Sequence, residues 1–125
     1  MKEVKKILIV EDDASVRKVL GEQLKNLNTE VFEADNGEDA VDMALEKKPD
    51  LIILDVIMPK MHGIEMLRKL EIDPWGRTVP VLLLTNFADD PRVAEAVKQE
   101  RVDLLSKGET NLHNILSTVK KKLGI

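Results

Sequence analysis

The chain of 125 residues contains no cysteine. That removes disulfides, thiol chemistry and thiolate zinc sites together, and it fits a reducing compartment. Long apolar runs are missing as well. The longest, ILIV, LIIL and VLLL, are four residues each, far short of the ~20 apolar residues that a membrane span requires. A positive balance is also absent. Nineteen Lys and Arg against 23 Asp and Glu leave a formal charge of −4, which argues against nucleic-acid binding across the surface. No internal repeat, low-complexity tract or linker interrupts the chain. The opening MKEVKK is charged and runs straight into a short apolar stretch, unlike a signal peptide. A cytoplasmic protein with no membrane partner and no direct nucleic-acid partner is the expectation.

What is present suffices for one folded domain over residues 1–125. Hydrophobic residues at 43% and charged residues at 34% place the chain among globular proteins. A chain of this length buries roughly two-thirds of its unfolded surface, so it needs no metal or disulfide staple.

Short runs rich in branched residues lie at Ile7–Val10, Glu30–Ala34, Leu51–Leu54, Val81–Leu84 and Val102–Leu105. Helical stripes separate them. Val16, Val19, Leu20, Leu24 and Leu27 form one, Ala40, Val41, Ala44 and Leu45 a second, and Ile64, Leu67 and Leu70 a third. Val93, Ala94 and Val97 follow Pro91, which suits a first helical turn. Leu112, Ile115, Leu116, Val119 and Leu123 form the last stripe, whose final turn holds Lys120, Lys121 and Lys122 before the stop signal Gly124. Strand–helix alternation repeated five times predicts an α/β domain, a parallel sheet with helices on both faces. The first, third and fourth runs are apolar throughout, as strands buried on both sides should be. The second, EVFEA, alternates and reads as an edge. Right-handed crossovers then favour the flavodoxin-like, doubly wound order 2-1-3-4-5.

In such sheets ligands bind beyond the carboxyl ends of the strands, where the strand order reverses. That point lies between strands 1 and 3, so the residues to read follow Val10 and Leu54. They are Glu11, Asp12 and Asp13 after the first and Asp55 after the third. Neighbouring strands lie about 4.8 Å apart, so these carboxylates converge. Converging anions raise one another's pKa unless a cation sits among them. A hard divalent ion such as Mg²⁺ answers that need, because it takes one or two carboxylates and keeps waters for a phosphoryl group. Asp13 taken alone reads as the cap of the first helix. The fourth strand ends in Thr85, a hydroxyl donor, and the fifth in Ser106 and Lys107, a cation able to reach back to Asp55.

Rival chemistries lack their parts. A haloacid-type phosphatase would need a second Asp two residues beyond the nucleophile, where Ile57 stands. A flavin or dinucleotide carrier would need a glycine- or hydroxyl-rich loop after the first strand, where this one is acidic.

ILIVEDD, DLIILDVIMPKMHG, VPVLLLT and the SK after the fifth strand fall in register. Over its whole length the chain resembles the receiver domain of two-component response regulators, of the chemotaxis-regulator type. The resemblance implies that Asp55 is the phosphoacceptor. It implies that Asp12, helped by Glu11, binds Mg²⁺ together with Asp55 and the backbone carbonyl of Ile57. Thr85 would bond a phosphoryl oxygen and Lys107 would pair with the phosphoryl group. Met58, Pro59 and Gly63 match the loop into the third helix. The donor would be a sensor histidine kinase or a histidine phosphotransfer protein. A downstream protein would read the face formed by helix 4, strand 5 and helix 5, with Thr85 and the strand-5 position Leu104 as the switch. A monomer, or a weak dimer formed on phosphorylation, is expected. The positions two beyond the Asp and two beyond the Thr, which flank the approach of hydrolytic water, are Ile57 and Phe87.

The chain departs from the family pattern at several points. Gly108 replaces the Pro that usually follows the Lys, and Leu104 replaces an aromatic residue. Asn86 stands where a small residue is usual, and His62 stands where many members carry an Asp able to cap the third helix. His62 and His113 read as non-catalytic, and Trp75 in DPWGR reads as a packing anchor. Because of Leu104 and Gly108, a degenerate receiver that docks partners without being phosphorylated is the alternative. No effector domain follows Ile125, which leaves a free-standing regulator and an excised receiver both open.

Overall fold

The structure, a computed structural model, describes residues 4–58 and 61–125. Pro59, singled out above in the loop after Asp55, lies outside the described residues. In chain order the elements are β1 (Lys6–Val10), α1 (Ala14–Lys25), β2 (Glu30–Ala34), α2 (Gly37–Lys47), β3 (Leu51–Leu54), α3 (Gly63–Leu70), a 3₁₀ turn (Trp75–Arg77), β4 (Val81–Thr85), α4 (Pro91–Ala96), β5 (Val102–Ser106) and α5 (Leu112–Leu123). The five strands are all parallel and run β2-β1-β3-β4-β5. This is the doubly wound order that the alternation predicted.

The two faces of the sheet carry separate cores, because successive strand residues point to opposite sides. Leu8, Val10, Ile52, Leu54, Val81 and Leu83 face α2, α3 and α4 and pack with Ala40, Ala44, Leu67, Leu70 and Val93. Ile7, Ile9, Leu51, Ile53, Leu82 and Leu84 face α1 and α5 and pack with Leu20, Leu24, Ile115, Val119 and Leu123. β2 is an edge strand, with Glu30 and Glu33 exposed and Val31 and Phe32 half-buried. Trp75 is half-buried and packs on the first of these cores, as an anchor should.

Element limits and helix faces differ from expectation in instructive ways. β4 and β5 each run one residue further than their apolar runs, because Thr85 and Ser106 still pair in register and Thr85 O accepts from Lys107 N at 2.9 Å. The ladder thus reaches into the polar residues at the site. In α4 the buried pair is Val93 and Ala96, spaced by one turn, whereas Ala94 faces outward and Val97 is already the C-cap. Val19 lies on the α1 stripe but is 51% exposed, at the lip of a groove between α1 and α5.

Helix starts cluster at the carboxyl end of the sheet. Asp13, Asn36, His62, Asp90 and Asn111 are the N-caps of α1 to α5, each accepting from an amide of the first turn. Gly63 is sterically required where it stands. A Cβ there would collide with the backbone carbonyl of Asp55, so only glycine lets α3 begin directly beneath that residue.

Candidate functional site

Glu11 follows β1, and its amide donates to Ala34 O of β2 at 3.1 Å. That bond continues the ladder one step beyond the strand and turns the Glu11 side chain inward, where the residue is 3% exposed. Its Oε1 accepts weakly from Asp13 N at 3.3 Å, while Asp13 caps α1 through Ser15 N and Val16 N at 2.9 and 3.1 Å. Asp12, between two fixed neighbours, is exposed.

Asp55 follows β3 and is held in the same manner, with its amide donating to Val10 O at 2.9 Å. It is 8% exposed. Its Oδ1 accepts from Val56 N at 2.7 Å, which fixes the carboxylate plane and leaves Oδ2 facing the cleft. One carboxylate oxygen from each of Glu11, Asp12 and Asp55 falls within a single 4.8 Å span. The sequence-predicted acids therefore do converge.

Lys107 reaches across the sheet end from β5. Its Nζ donates to Glu11 Oε2 at 2.9 Å and to Asp55 Oδ2 at 3.2 Å. Burial pushes the Glu11 carboxyl above the usual carboxylate range, and the nearby Asp55 charge adds to this against the opposing bond from Lys107. Burial also works against the charge on Lys107, but the bond to Glu11 and the fields of Asp55 and Glu11 outweigh it and raise its pKa. The ammonium is thus the cation that the acids require. A divalent ion was the cation expected among these acids, and the fold brings a second candidate from a distant strand.

Thr85 is fully buried, and its Oγ1 accepts from Phe87 N at 3.0 Å. Ile57 and Phe87 are 43% and 49% exposed. Leu104 is half-buried against the core beneath α4. Gly108 needs no glycine-specific space, since a Cβ there would find only Asn86 Oδ1, at 3.8 Å. The helix-cap deficit expected at His62 is made good by the imidazole itself, whose Nδ1 accepts from Ile64 N at 3.1 Å. His113 is exposed on α5.

Sequence reasoning overlooked Arg17. Its Nη1 donates to the Glu11 carbonyl at 2.8 Å and its Nε lies 3.3 Å from Glu33 Oε1. The signal was an arginine one turn into the helix that follows an acidic loop.

A model of the response regulator receiver domain matches residues 7–120. The chain belongs to that family. Receiver domains are signalling domains of two-component systems rather than enzymes in the ordinary sense, and this one carries the family's acidic pocket as Glu11, Asp12 and Asp55. It is 32% identical to the phosphate regulon transcriptional regulatory protein PhoB of Pseudomonas aeruginosa over 103 residues, covering 82% of this chain and 45% of that protein. The chain thus spans under half the length of that relative. Against the polar-differentiation response regulator DivK of Brucella anthropi the identity is 29%, covering 96% of this chain and 97% of the relative. Among solved structures, the Vibrio cholerae chemotaxis protein CheY4 superposes with a TM-score of 0.85 at 28% identity, over 97% of this chain and all of that one. Among the described residues, no helix of this receiver is long and apolar enough to cross a membrane.

Proposed function

We propose that this receiver is a phosphoacceptor switch in which Asp55 takes a phosphoryl group from a phosphohistidine of a sensor kinase or phosphotransfer protein. The observation that supports this most is the clamping of Asp55. One carboxylate oxygen is tied to the Val56 amide while the other faces Lys107 in a cleft it shares with Glu11 and Asp12. A carboxylate is a weak nucleophile and gains most from being aimed in line at phosphorus. A new bond forms from Asp55 oxygen to phosphorus as the bond from phosphorus to the donor imidazole nitrogen breaks, and the electron pair leaves with the imidazole. Lys107, already 3.2 Å from Asp55 Oδ2, offsets charge on the transferring group. The Thr85 hydroxyl accepts from Phe87 N and so keeps its own hydrogen for a phosphoryl oxygen.

The donor set suits Mg²⁺, being carboxylate oxygens of Glu11, Asp12 and Asp55 that lie within 4.8 Å of one another. Asp12 and Asp55, with the Ile57 carbonyl and help from Glu11, would hold it. When bound it would supply positive charge to the phosphoryl oxygens. Glu11 must then divide its carboxylate between that role and Lys107.

The acyl phosphate adds roughly one further negative charge where one stood. Thr85 moves towards it and draws the loop 86–90, and with it α4, so that a downstream protein reads the face of α4, β5 and α5. We place all of 1–125 in this one domain, acting in the cytoplasm as a monomer or as a dimer formed weakly on phosphorylation.

Incubation with acetyl phosphate and Mg²⁺, followed by intact mass, tests the proposal. The wild type should gain one phosphoryl group, and Asp55→Asn should gain none while keeping its circular dichroism spectrum. A wild type that stays unlabelled would leave phosphorylation-independent docking as the function. Labelling of Asp55→Asn at the wild-type rate would move the acceptor elsewhere.

A further inference from the structure

We infer that Arg17, held by Glu33, is a positioning residue that fixes the Glu11–Asp12 peptide and so aims Asp12 into the acidic cleft. The inference rests on the reading of Asp12 as a metal-holding acid, but its first observable does not require the metal.

Asp12 is the one acid of the cleft that is exposed. Glu11 is pinned by Lys107 and Asp55 by the Val56 amide, whereas the Asp12 side chain has no hydrogen-bond partner among the described residues, which leaves its backbone to set its direction. That backbone is controlled by two peptide planes. The plane after Asp12 carries the Asp13 amide, which donates to Glu11 Oε1 at 3.3 Å. The plane between Glu11 and Asp12 presents the Glu11 carbonyl, and Arg17 Nη1 donates to this oxygen at 2.8 Å. Rotation of that plane would swing the Asp12 side chain out of the cleft and would break this bond first.

Arg17 is itself oriented from the far side. Its Nε lies 3.3 Å from Glu33 Oε1 on edge strand β2, and the two side chains are 21% and 37% exposed. Guanidinium geometry is what makes this work, because a planar fork can serve a carbonyl and a carboxylate in two fixed directions at once. The single ammonium of a lysine cannot hold both.

The test uses Arg17→Lys, which keeps the charge and loses the fork, with Arg17→Gln and Glu33→Gln beside it. In the Mg²⁺-free protein, the amide resonances of Asp12 and Asp13 should shift and their hydrogen exchange should quicken in Arg17→Lys, at an unaltered unfolding midpoint. Mg²⁺ titration should show about tenfold weaker binding in both Arg17 variants, in the range usual for partners that orient metal ligands. Glu33→Gln, a change on an exposed edge strand, should give a smaller loss of the same kind, and adding it to Arg17→Lys should cost nothing further. Unchanged amide signals and Mg²⁺ affinity in Arg17→Lys would overturn the inference and reduce the contact to a surface ion pair. Tighter Mg²⁺ binding in Arg17→Gln would also overturn it, by showing that Arg17 acts only as a nearby like charge. If Asp12→Ala binds Mg²⁺ as the wild type does, the metal reading fails by itself, and the inference for Arg17 falls with its purpose.

Discussion

The Thr85 hydroxyl and the Phe87 amide are joined at 3.0 Å, with the hydroxyl oxygen as acceptor. A phosphoryl group on Asp55 that draws this hydroxyl towards itself therefore acts on the loop before α4 through one identified bond. Coupling of this kind is limited by the difference in affinity between the two states. Here that difference is about 1.5–3 kcal/mol, the usual worth of a hydrogen bond to a charged group. With a beryllofluoride mimic of the phosphoryl group, amide shifts should be large over residues 85–92. They should be small at Leu104 and Leu105, where no aromatic ring can swing. Thr85→Ala should collapse the loop response while the mimic still binds. Large shifts at Leu104 that survive Thr85→Ala would redirect the route through Lys107 and Gly108.

Lys107 holds two buried acids apart from one another's charge. The side chains of Glu11 and Asp55 are 4% and 10% exposed. Lys107→Met should lower unfolding stability by about 1–3 kcal/mol without Mg²⁺, the loss being capped because Glu11 can take up a proton. Saturating Mg²⁺ should restore part of it, and Asp12→Ala should abolish the restoration. Denaturant unfolding with and without the ion measures this. An equal loss in both conditions would mean that metal and ammonium do not share the cleft.

His62 makes the start of α3 sensitive to pH. Burial, followed by the charge of Arg92, lowers its pKa below 6.5, against weaker contrary effects of Asp90, Glu65 and Asp55. Only the neutral ring can accept from Ile64 N through Nδ1. The sign follows: this cap is fully present above pH 6.5, weakens as pH falls below it, and is lost beneath the folded value. The cost at the acid end should be about 1 kcal/mol, typical of a lost N-cap. Carbon-13 titration of the imidazole should give a midpoint under 6.5, and His62→Asn should flatten the stability profile over that window. A midpoint at or above 6.5 would refute the assignment.

If Asp55 forms the proposed acyl phosphate, Ile57 and Phe87 should bear on its lifetime. Both are large, apolar and about half-exposed, and neither can orient a water. Hydrolysis should be slow, and Ile57→Asn should shorten the half-life several-fold while leaving the labelling rate nearly unchanged. Loss of label followed by intact mass decides it. A mutant half-life equal to or above that of the wild type would show that these side chains do not control water.

The strand order and the convergence of Glu11, Asp12 and Asp55 were legible because alternation and the switch-point rule depend only on pattern. What the pattern could not show is partnership across the sheet. Lys107 was expected near Asp55, but its shorter contact is with Glu11, since reach depends on the twist and extension of β5. Ala94 was assigned to a buried stripe because a short helix offers too few residues to fix its phase, and α4 has only six. The role of His62 as a cap was missed because imidazole is an uncommon acceptor there, and the propensity scale favours Asp and Asn. Arg17 was missed because its target is a backbone carbonyl, which carries no mark in the sequence.

The bond between Lys107 and Glu11 joins residues 96 positions apart. During synthesis the acids emerge first, and the ammonium that neutralises them leaves the ribosome only when nearly the whole domain has been made. Until β5 docks on β4, Glu11 and Asp55 lack the Lys107 ammonium that bridges them in the folded domain. If Asp55 is the phosphoacceptor, as proposed, the lysine that would offset the charge of the incoming group reaches it only with completion of the sheet.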